Sequence, residues 1–491
     1  MVSIAAVSAV AGDERAATEL GRLAANPLVG RIAATTAGKA SLGGAIRALQ
    51  AGELRSSAAV VETLRWFEST NLSHLLWSFS GRAVLSAIDL RRLTQVAADT
   101  KAALLYSDYY DEKSDGPVGL HPLIDYQLGS VRDDFDFGHV VLLSRESILG
   151  LADEIESQTT SGEFGGWYDL RLRVSERGPV VHLSEPTYVA RAAAEMSDEL
   201  AHFNYVDPRN RNYQIEMEKV ATAHLKRIGA WLPSPAKSPA SEEGSFSVEC
   251  SVVIPVRNRV KTVGDAVKSA LSQKANFSFN VIVVDNHSTD GTFELLKDLA
   301  AKDDRLVHLV PERRDLGIGG CWSEGVFSKS CGRYAVQLDS DDIYSGDDVL
   351  TQIMTIFKRE NCAAVVGSYT IVDSSLKLIP PGLIDHREWT NENGHNNVIR
   401  IHGLGAPRAF HVPTLRQFGF PNTSYGEDYA VMIRLCREYR IGRIYDSLYW
   451  CRRWEGNSDH ALPLETQNRY AFYKDRLRTI EIAARQQLTA R

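Results

Sequence analysis

Short apolar runs alternate with amphipathic stretches along the second half of this 491-residue chain. Residues 252–254 are β-branched and apolar, which predicts a buried strand. Pro255 has no N–H to donate and is expected to stop that ladder. Over residues 262–274, Val263, Ala266, Val267, Ala270 and Leu271 fall on one stripe, the mark of an amphipathic helix. The same reading predicts strands at 280–284, 306–310 and 334–338, a helix over 292–301 capped by Thr289 or Asp290, and another helix ending at Ser330. A helical stretch at 429–435 and a late strand at 447–450 follow. Strands and helices that alternate through short connections form an α/β unit around an open, mostly parallel sheet. That order brings Arg257, Asp285, Gly319 and Asp341 to one edge, where such sheets bind ligands.

The candidate chemistry concentrates where an apolar strand runs into Leu338-Asp339-Ser340-Asp341-Asp342. Closely spaced carboxylates repel and persist where a cation offsets them. Hard oxygen ligands of this kind suit Mg²⁺ or Mn²⁺ carrying a phosphate-rich ligand. The competing reading is a solvated acidic turn at a strand end. Asp428 follows a Gly/Pro-bearing loop, residues 418–426, and opens a helical stretch, so its carboxylate sits on a rigid element. It is either a general base or an acid that satisfies the helix dipole. Gly317, Gly319 and Gly320 suit close backbone approach. They do not form a dinucleotide fingerprint, because the required glycine order after a first strand is absent.

Five segments together carry a resemblance. They are Ser251-Val252-Val253-Ile254-Pro255-Val256-Arg257-Asn258, Ile282-Val283-Val284-Asp285, Ser288-Thr289-Asp290-Gly291, Asp339-Ser340-Asp341-Asp342 and Gly426-Glu427-Asp428. In this order and spacing, residues 252–460 resemble a family 2 glycosyltransferase of the GT-A fold, inverting in mechanism. The resemblance implies transfer of a sugar from a nucleotide-sugar, a UDP-sugar preferred, to a hydroxyl. The acceptor is a glycan, a lipid-linked sugar or a small molecule. The resemblance assigns Pro255, Val256, Arg257, Asn258, Asp285, Arg314, Gly320, Asp339, Ser340 and Arg453 to the nucleotide-sugar, with Asp285 at the base. It assigns Asp339, Asp341 and His460 to a Mn²⁺ or Mg²⁺ ion, and Asp428 to the catalytic base with Glu427 beside it. The alternative for His460 is an ordinary surface histidine, and Arg452 or Arg453 is the candidate phosphate contact. Cys321-Trp322-Ser323 departs from the small residues and Asn usual in the family, so donor-sugar contacts inferred from that helix do not carry over. Residues 380–413 are expected to shape the acceptor side, with Trp389, His395, His402 and His411 available.

The first 230 residues read as a degenerate copy of the second half. Residues 20–29 parallel 296–305, Leu42-Gly43-Gly44 parallels Ile318-Gly319-Gly320, and residues 169–178 parallel 430–439. Residues 104–109 resemble the strand that the family places after the metal site, and both halves end in charged amphipathic helices, 211–227 and 469–485. The copy lacks the chemistry. Leu76-Trp77-Ser78-Phe79-Ser80-Gly81 stands where the acidic cluster belongs, and Gly165-Gly166-Trp167 where Gly426-Glu427-Asp428 belongs. Its first strand is expected to be missing. This half therefore reads as a non-catalytic GT-A-like domain that supports dimerisation or binds acceptor. The competing reading is an independent transferase using Asp108, Asp111 and Glu112.

Composition fits two domains: 1–230, a Pro/Ser-rich linker over 231–247, and a catalytic domain over 248–491 that includes the C-terminal helix. The net charge of −7 and the lack of a long basic run argue against a nucleic-acid partner. No apolar run is long enough to span a membrane, and residues 1–11 lack the basic start of a signal peptide. The six cysteines have no metal-like spacing, as expected of free thiols in a cytoplasmic enzyme. Location at the inner membrane face by peripheral contact stays compatible with this reading. Two other classes compete: a nucleotidylyltransferase-like enzyme, against which the missing Gly-rich loop at Val256-Arg257-Asn258 argues, and a glycan-binding scaffold, against which the retained carboxylates argue.

Overall fold

The computed structural model describes residues 4–10, 14–36, 46–50, 53–112, 118–158, 162–191, 207–235, 237–239, 245–454, 456–457 and 462–490. The chain forms two compact units. The first comprises Met1–His202, Asn212–Trp231 and Pro463–Arg491; the second comprises Phe203–Arg211 and Leu232–Leu462.

The strands of the first unit are β1 (Ile4–Val10), β2 (Val29–Thr36), β3 (Ile46–Leu49), β4 (His74–Ser78), β5 (Ala83–Val84), β6 (Leu104–Ser107), β7 (Tyr109–Glu112), β8 (Gly119–His121), β9 (Val140–Ser144), β10 (Val180–Leu183) and β11 (Val189–Arg191). Seven form one sheet in the order β10-β6-β9-β4-β1-β2-β3, and β5, β11, β7 and β8 form a small second sheet. The first strand is thus present, contrary to expectation. Ile4, Ala5, Ala6 and Val7 are fully buried, and β1 pairs in parallel with both β2 and β4. Small and branched apolar residues on both faces suit a central strand covered by helices. The helix Glu14–Ala24 follows this strand, so residues 20–29 occupy the place of the helix after the first strand of the second unit, not of 296–305. Leu42-Gly43-Gly44 lies outside the described residues.

The C-terminal helix Leu464–Thr489 belongs to the first unit, not to the second as chain order suggested. Its buried face is polar. Asp475 and Arg478 are fully buried and paired at 2.7 Å, and Asp475 also accepts from Ser130 Oγ at 2.9 Å and lies 3.3 Å from Arg132. A buried charge needs such partners, so this register is tightly specified. Asp108 in turn accepts from the Leu123 N–H and faces His182, which makes it a structural acid.

The second unit adds β12 (Cys250–Val256), β13 (Phe279–Asp285), β14 (Leu306–Leu309), β15 (Tyr334–Gln337), β16 (Ile343–Tyr344), β17 (Ala364–Asp373), β18 (Leu378–Ile384), β19 (Arg408–His411) and β20 (Ile441–Arg453). Its sheet runs β14-β13-β12-β15-β19-β17-β20-β16, with β18 on β17. Helices Val263–Leu271, Thr292–Ala300, Ile318–Phe327, Val349–Glu360 and Glu427–Glu438 complete an α/β unit. Pro255 lies inside β12 and does not end it. The Val253 carbonyl accepts from Leu338 N on the β15 side, and the β12–β15 register ends at Val253–Gln337. Pro255, two residues on, points the same way into a stretch with no ladder partner, so its missing N–H costs nothing there. Residues expected as linker pack on this unit: Leu232 N–H donates to Asn396 Oδ1 (3.1 Å), and Lys237 pairs with Glu438 (2.6 Å). Among the described residues, no helix is long and apolar enough to cross a membrane.

Candidate functional site

The site lies at the carboxyl edge of the second unit's sheet. Asp285 ends β13 and is fully buried. Its Oδ1 accepts from Ser288 N–H at 2.9 Å, and its Oδ2 lies 3.3 Å from His308 Nε2. Burial pushes this carboxyl up, but the hydrogen bonds from His308 and Ser288 outweigh it and hold Asp285 below its ordinary value. Beside it, Asn258 adopts φ of +54°, a region Asn tolerates better than most residues. Its N–H donates to Ser288 Oγ (2.9 Å) and its Oδ1 accepts from Thr289 N–H (2.8 Å), so Asn258 braces the loop after β13. Arg257 is exposed at the same edge, next to Val256, whose carbonyl accepts from Asn286 N–H.

The glycine turn makes the close backbone approach expected of it, here to the 421–427 segment. A Cβ on Gly319 would collide with the Pro421 carbonyl, and one on Gly320 with Asn422 Oδ1. Gly317 N–H donates to Asn422 Oδ1 (2.8 Å) and Gly319 N–H to the Thr423 carbonyl (2.9 Å). These glycines let the helix Ile318–Phe327 dock on the 421–427 segment, which sets the position of Glu427 and Asp428. Arg314 is exposed, while Arg313 pairs with Asp315 at 2.6 Å.

After β15 the acidic cluster divides by side. Asp339 and Asp341 are half-buried, and Asp342 is buried. Asp339 N–H donates to Tyr449 Oη (3.0 Å), and Asp339 Oδ1 accepts from Gln337 Nε2 (2.9 Å). Asp341 Oδ2 accepts from Asn457 Nδ2 (3.2 Å) and Trp454 Nε1 (3.3 Å). Asp342 Oδ1 accepts from Arg452 N–H (2.7 Å), so it serves the fold. Burial, then repulsion from its neighbours, raises the Asp342 carboxyl well above its ordinary value. Asp339 is raised by burial and by Asp341, against the Gln337 hydrogen bond and Arg408. A bound cation would relieve such repulsion. Mg²⁺ is commonly held by one or two carboxylates plus substrate phosphates, so Asp339 and Asp341 fit that role without a full protein cage. Among the described residues no set of three His, Cys, Asp or Glu side chains forms a metal cage, and His460 lies outside them. Arg452 is committed within the fold, its Nη1 to Asp265 (2.9 Å) and its Nε to the Asp341 carbonyl. Arg453 follows it half-buried, and Ser340 is buried.

Gly426, at φ of +75°, turns the chain into the helix Glu427–Glu438. Glu427 is buried, and burial followed by repulsion from Asp428 pushes its carboxyl up to about 8. Asp428 Oδ2 is 2.8 Å from an Arg408 guanidinium nitrogen, and its Oδ1 accepts from Tyr429 N–H (2.7 Å). Arg408, at the start of β19, also donates through Nη1 to the Gly405 carbonyl (2.7 Å) and through its backbone N–H to Gln337 Oε1 (3.2 Å). Trp389, His395 and His411, expected on the acceptor side, are buried; His395 Nε2 lies 2.8 Å from the Leu232 carbonyl and His411 Nδ1 2.9 Å from Thr414 Oγ1. His402 is half-buried.

Sequence reasoning missed His308, Gln337, Arg408, Tyr449 and Asn457. Two carried a local signal: Gln337 is a polar residue inside an apolar strand, and Arg408 follows Gly405-Ala406-Pro407 immediately before the apolar Ala409-Phe410.

Comparison with known proteins gives a consistent picture for this unit. Residues 251–413 match the family described as Glycosyl transferase family 2. An uncharacterized glycosyltransferase of Rickettsia bellii is 33% identical over 243 residues, 48% of this chain and 34% of that protein. RC0461 of Rickettsia conorii, an uncharacterized glycosyltransferase, is 29% identical over 40% of this chain and 31% of its own length. The Escherichia coli protein WfgD, a UDP-Glc:α-D-GlcNAc-diphosphoundecaprenol β-1,3-glucosyltransferase, is 26% identical over 40% of this chain and 72% of its own length. The structure of S. aureus TarS residues 1–349 with UDP-GlcNAc is 19% identical, with a TM-score of 0.38 over 48% of this chain and 66% of that one. The matched region spans about a third of the Rickettsia relatives. Residues 251–413 are thus the part of this chain that is similar to glycosyl transferase family 2.

Proposed function

We propose that this chain transfers a sugar from a nucleotide-sugar, a UDP-sugar preferred, to a hydroxyl of a glycan, lipid-linked or small-molecule acceptor, with inversion. The observation that carries this reading is the run of contacts Asp339–Gln337–Arg408–Asp428, which sets a metal-suited carboxylate pair beside a helix-borne carboxylate. The name of the E. coli relative gives UDP-Glc as its donor, which supports the UDP preference. Asp339 and Asp341 would hold Mn²⁺ or Mg²⁺, which when bound neutralises the leaving diphosphate. Asp285, kept ionised by His308 and Ser288, would accept a hydrogen bond from the nucleotide base. Asp428 accepts the acceptor's hydroxyl proton as that oxygen bonds to the anomeric carbon from the face opposite the leaving group. The bond to the diphosphate breaks, and the proton ends on Asp428.

The pushed-up carboxyl of Glu427 favours a second reading in which Glu427 is the base, since a base works best when its pKa lies near the working pH. Nucleotide release from UDP-, GDP- and dTDP-sugars with Mn²⁺ tests both. Asp428→Asn should lower kcat by about 10²-fold or more, with donor KM unchanged, and Glu427→Gln should leave most activity. The reverse pattern would move the base to Glu427. Full activity in both variants would remove this site from the reaction. The first unit is proposed to be non-catalytic and to serve structure or the acceptor.

A further inference from the structure

We propose that Arg408 is a positioning residue that holds the Asp428 carboxylate in its working orientation and ties it to the metal-suited carboxylate Asp339. The proposal rests on the reading of Asp428 as the base. Arg408 has only 16% of its side chain exposed and uses two separate guanidinium nitrogens, one on Asp428 Oδ2 at 2.8 Å and one on the Gly405 carbonyl at 2.7 Å. A planar fork fixed at both tips cannot rotate without breaking one bond, so it defines the plane in which Asp428 lies. The same residue anchors the other side of the site. Its backbone N–H donates to Gln337 Oε1, and Gln337, itself buried, donates through Nε2 to Asp339 Oδ1 at 2.9 Å. Gln337 is fixed in turn by Tyr344 Oη, which donates to its carbonyl at 2.9 Å.

The charge pattern agrees with the geometry. Burial works against the Arg408 cation, but Asp428, Asp339 and Glu427 around it raise its affinity for the proton above the ordinary value. One permanent cation thus stands among three carboxylates, where it limits their mutual repulsion. Asp428 Oδ1 is held by Tyr429 N–H and Oδ2 by Arg408, so both carboxylate oxygens are oriented by named donors. Small misplacements at a reacting centre cost about 10²-fold in rate, which is the scale of effect that loss of this fork should have.

The test compares Arg408→Lys, Arg408→Gln, Asp428→Asn and the double variant Arg408→Gln/Asp428→Asn in the full chain. The probe is nucleotide release with Mn²⁺ from a panel of UDP-, GDP- and dTDP-sugars, followed on the best substrate found. Arg408→Gln should lower kcat about 10- to 100-fold with donor KM unchanged. Arg408→Lys, which keeps the charge but not the fork, should recover part of the loss. The double variant should be no slower than Asp428→Asn alone, because Arg408 acts through Asp428. Parent kcat in Arg408→Gln, a defect confined to donor KM, or additive losses in the double variant would each overturn the proposal. Melting temperatures of the same four variants test the pair without any substrate. The double variant should melt no lower than the worse single variant, and simple addition of the two losses would show that the pair is not coupled. If Asp428→Asn keeps parent kcat, the base assignment fails and this proposal falls with it. If Asp428→Asn is impaired while Arg408→Gln is not, the positioning role fails alone.

Discussion

In the second unit the strand Tyr334–Gln337 runs into Leu338-Asp339-Ser340-Asp341; in the first, His74–Ser78 runs into Phe79-Ser80-Gly81. These two strands hold the same place. Each sheet carries one sequence of seven neighbours, β3-β2-β1-β4-β9-β6-β10 in the first unit and β14-β13-β12-β15-β19-β17-β20 in the second. In both, the fifth strand is antiparallel to its neighbours and the other pairings are parallel. The helix that opens at Gly426-Glu427-Asp428 likewise has a counterpart opening at Gly165-Gly166-Trp167. There the indole replaces the carboxylate. Trp167 is buried, with its ring 4.7 Å from Phe79 and 5.5 Å from Trp77. An apolar core sustains this strand order with or without charged groups at its edge. The candidate chemistry resides in a few strand-end and helix-start residues, and in the first unit Phe79-Ser80-Gly81 and Gly165-Gly166-Trp167 stand there without a carboxylate.

The sharpest way to break this contrast is at the acidic cluster. Asp341→Ala is expected to abolish transfer and metal-dependent nucleotide binding while the fold stays intact, checked by nucleotide release and circular dichroism; ordinary activity with ordinary metal would end the metal assignment. A calorimetric titration with UDP and Mn²⁺ should then find one site per chain in the parent and none in Asp341→Ala. A site that survives the substitution would place nucleotide binding elsewhere and reopen the first unit as active.

In the first unit the expected effect is on stability. Trp167→Ala removes a buried indole and should cost about 3–5 kcal/mol, read by denaturant unfolding, with donor KM unaltered. Removing residues 1–230 alone is a poor probe of that unit, because it leaves the buried Asp475 and Arg478 of the C-terminal helix without cover from Ser130 and Arg132.

The smallest expected effect is the pH dependence that Glu427 brings. Its carboxyl is raised in the folded chain from 4.5 to about 8, so between those values the folded state keeps a proton that the unfolded state has released. Stability from this group therefore falls as pH rises through that window. Glu427→Gln should raise the metal-free melting temperature at pH 8 relative to the parent more than it does at pH 5. Equal shifts at both values would show that Glu427 titrates normally.

The strands and helices over 252–338 and 429–450 were legible because apolar periodicity is local, and Asp285, Asp339, Asp341 and Asp428 stood out as carboxylates directly after apolar strands or a Gly/Pro-bearing loop. In the first unit the shared strand order was decided by the tertiary structure, and its first strand was overlooked because its alanines and valines carry no polar motif. Partnership between residues distant in sequence was not legible. That Arg408 clasps Asp428, that its backbone meets Gln337, that His308 meets Asp285 and that Asp342 turns inward to the Arg452 backbone depends on residues 20 to more than 100 apart in sequence. The role of Gly319 and Gly320 was settled the same way, by the close approach of the 421–427 segment. The attachment of the helix Leu464–Thr489 to the first unit was decided by Asp475 and Arg478, whose buried charges must find partners that lie more than 300 residues upstream. Hydrophobic spacing specifies an element, but the pairing of buried charges is specified only once the chain has closed on itself.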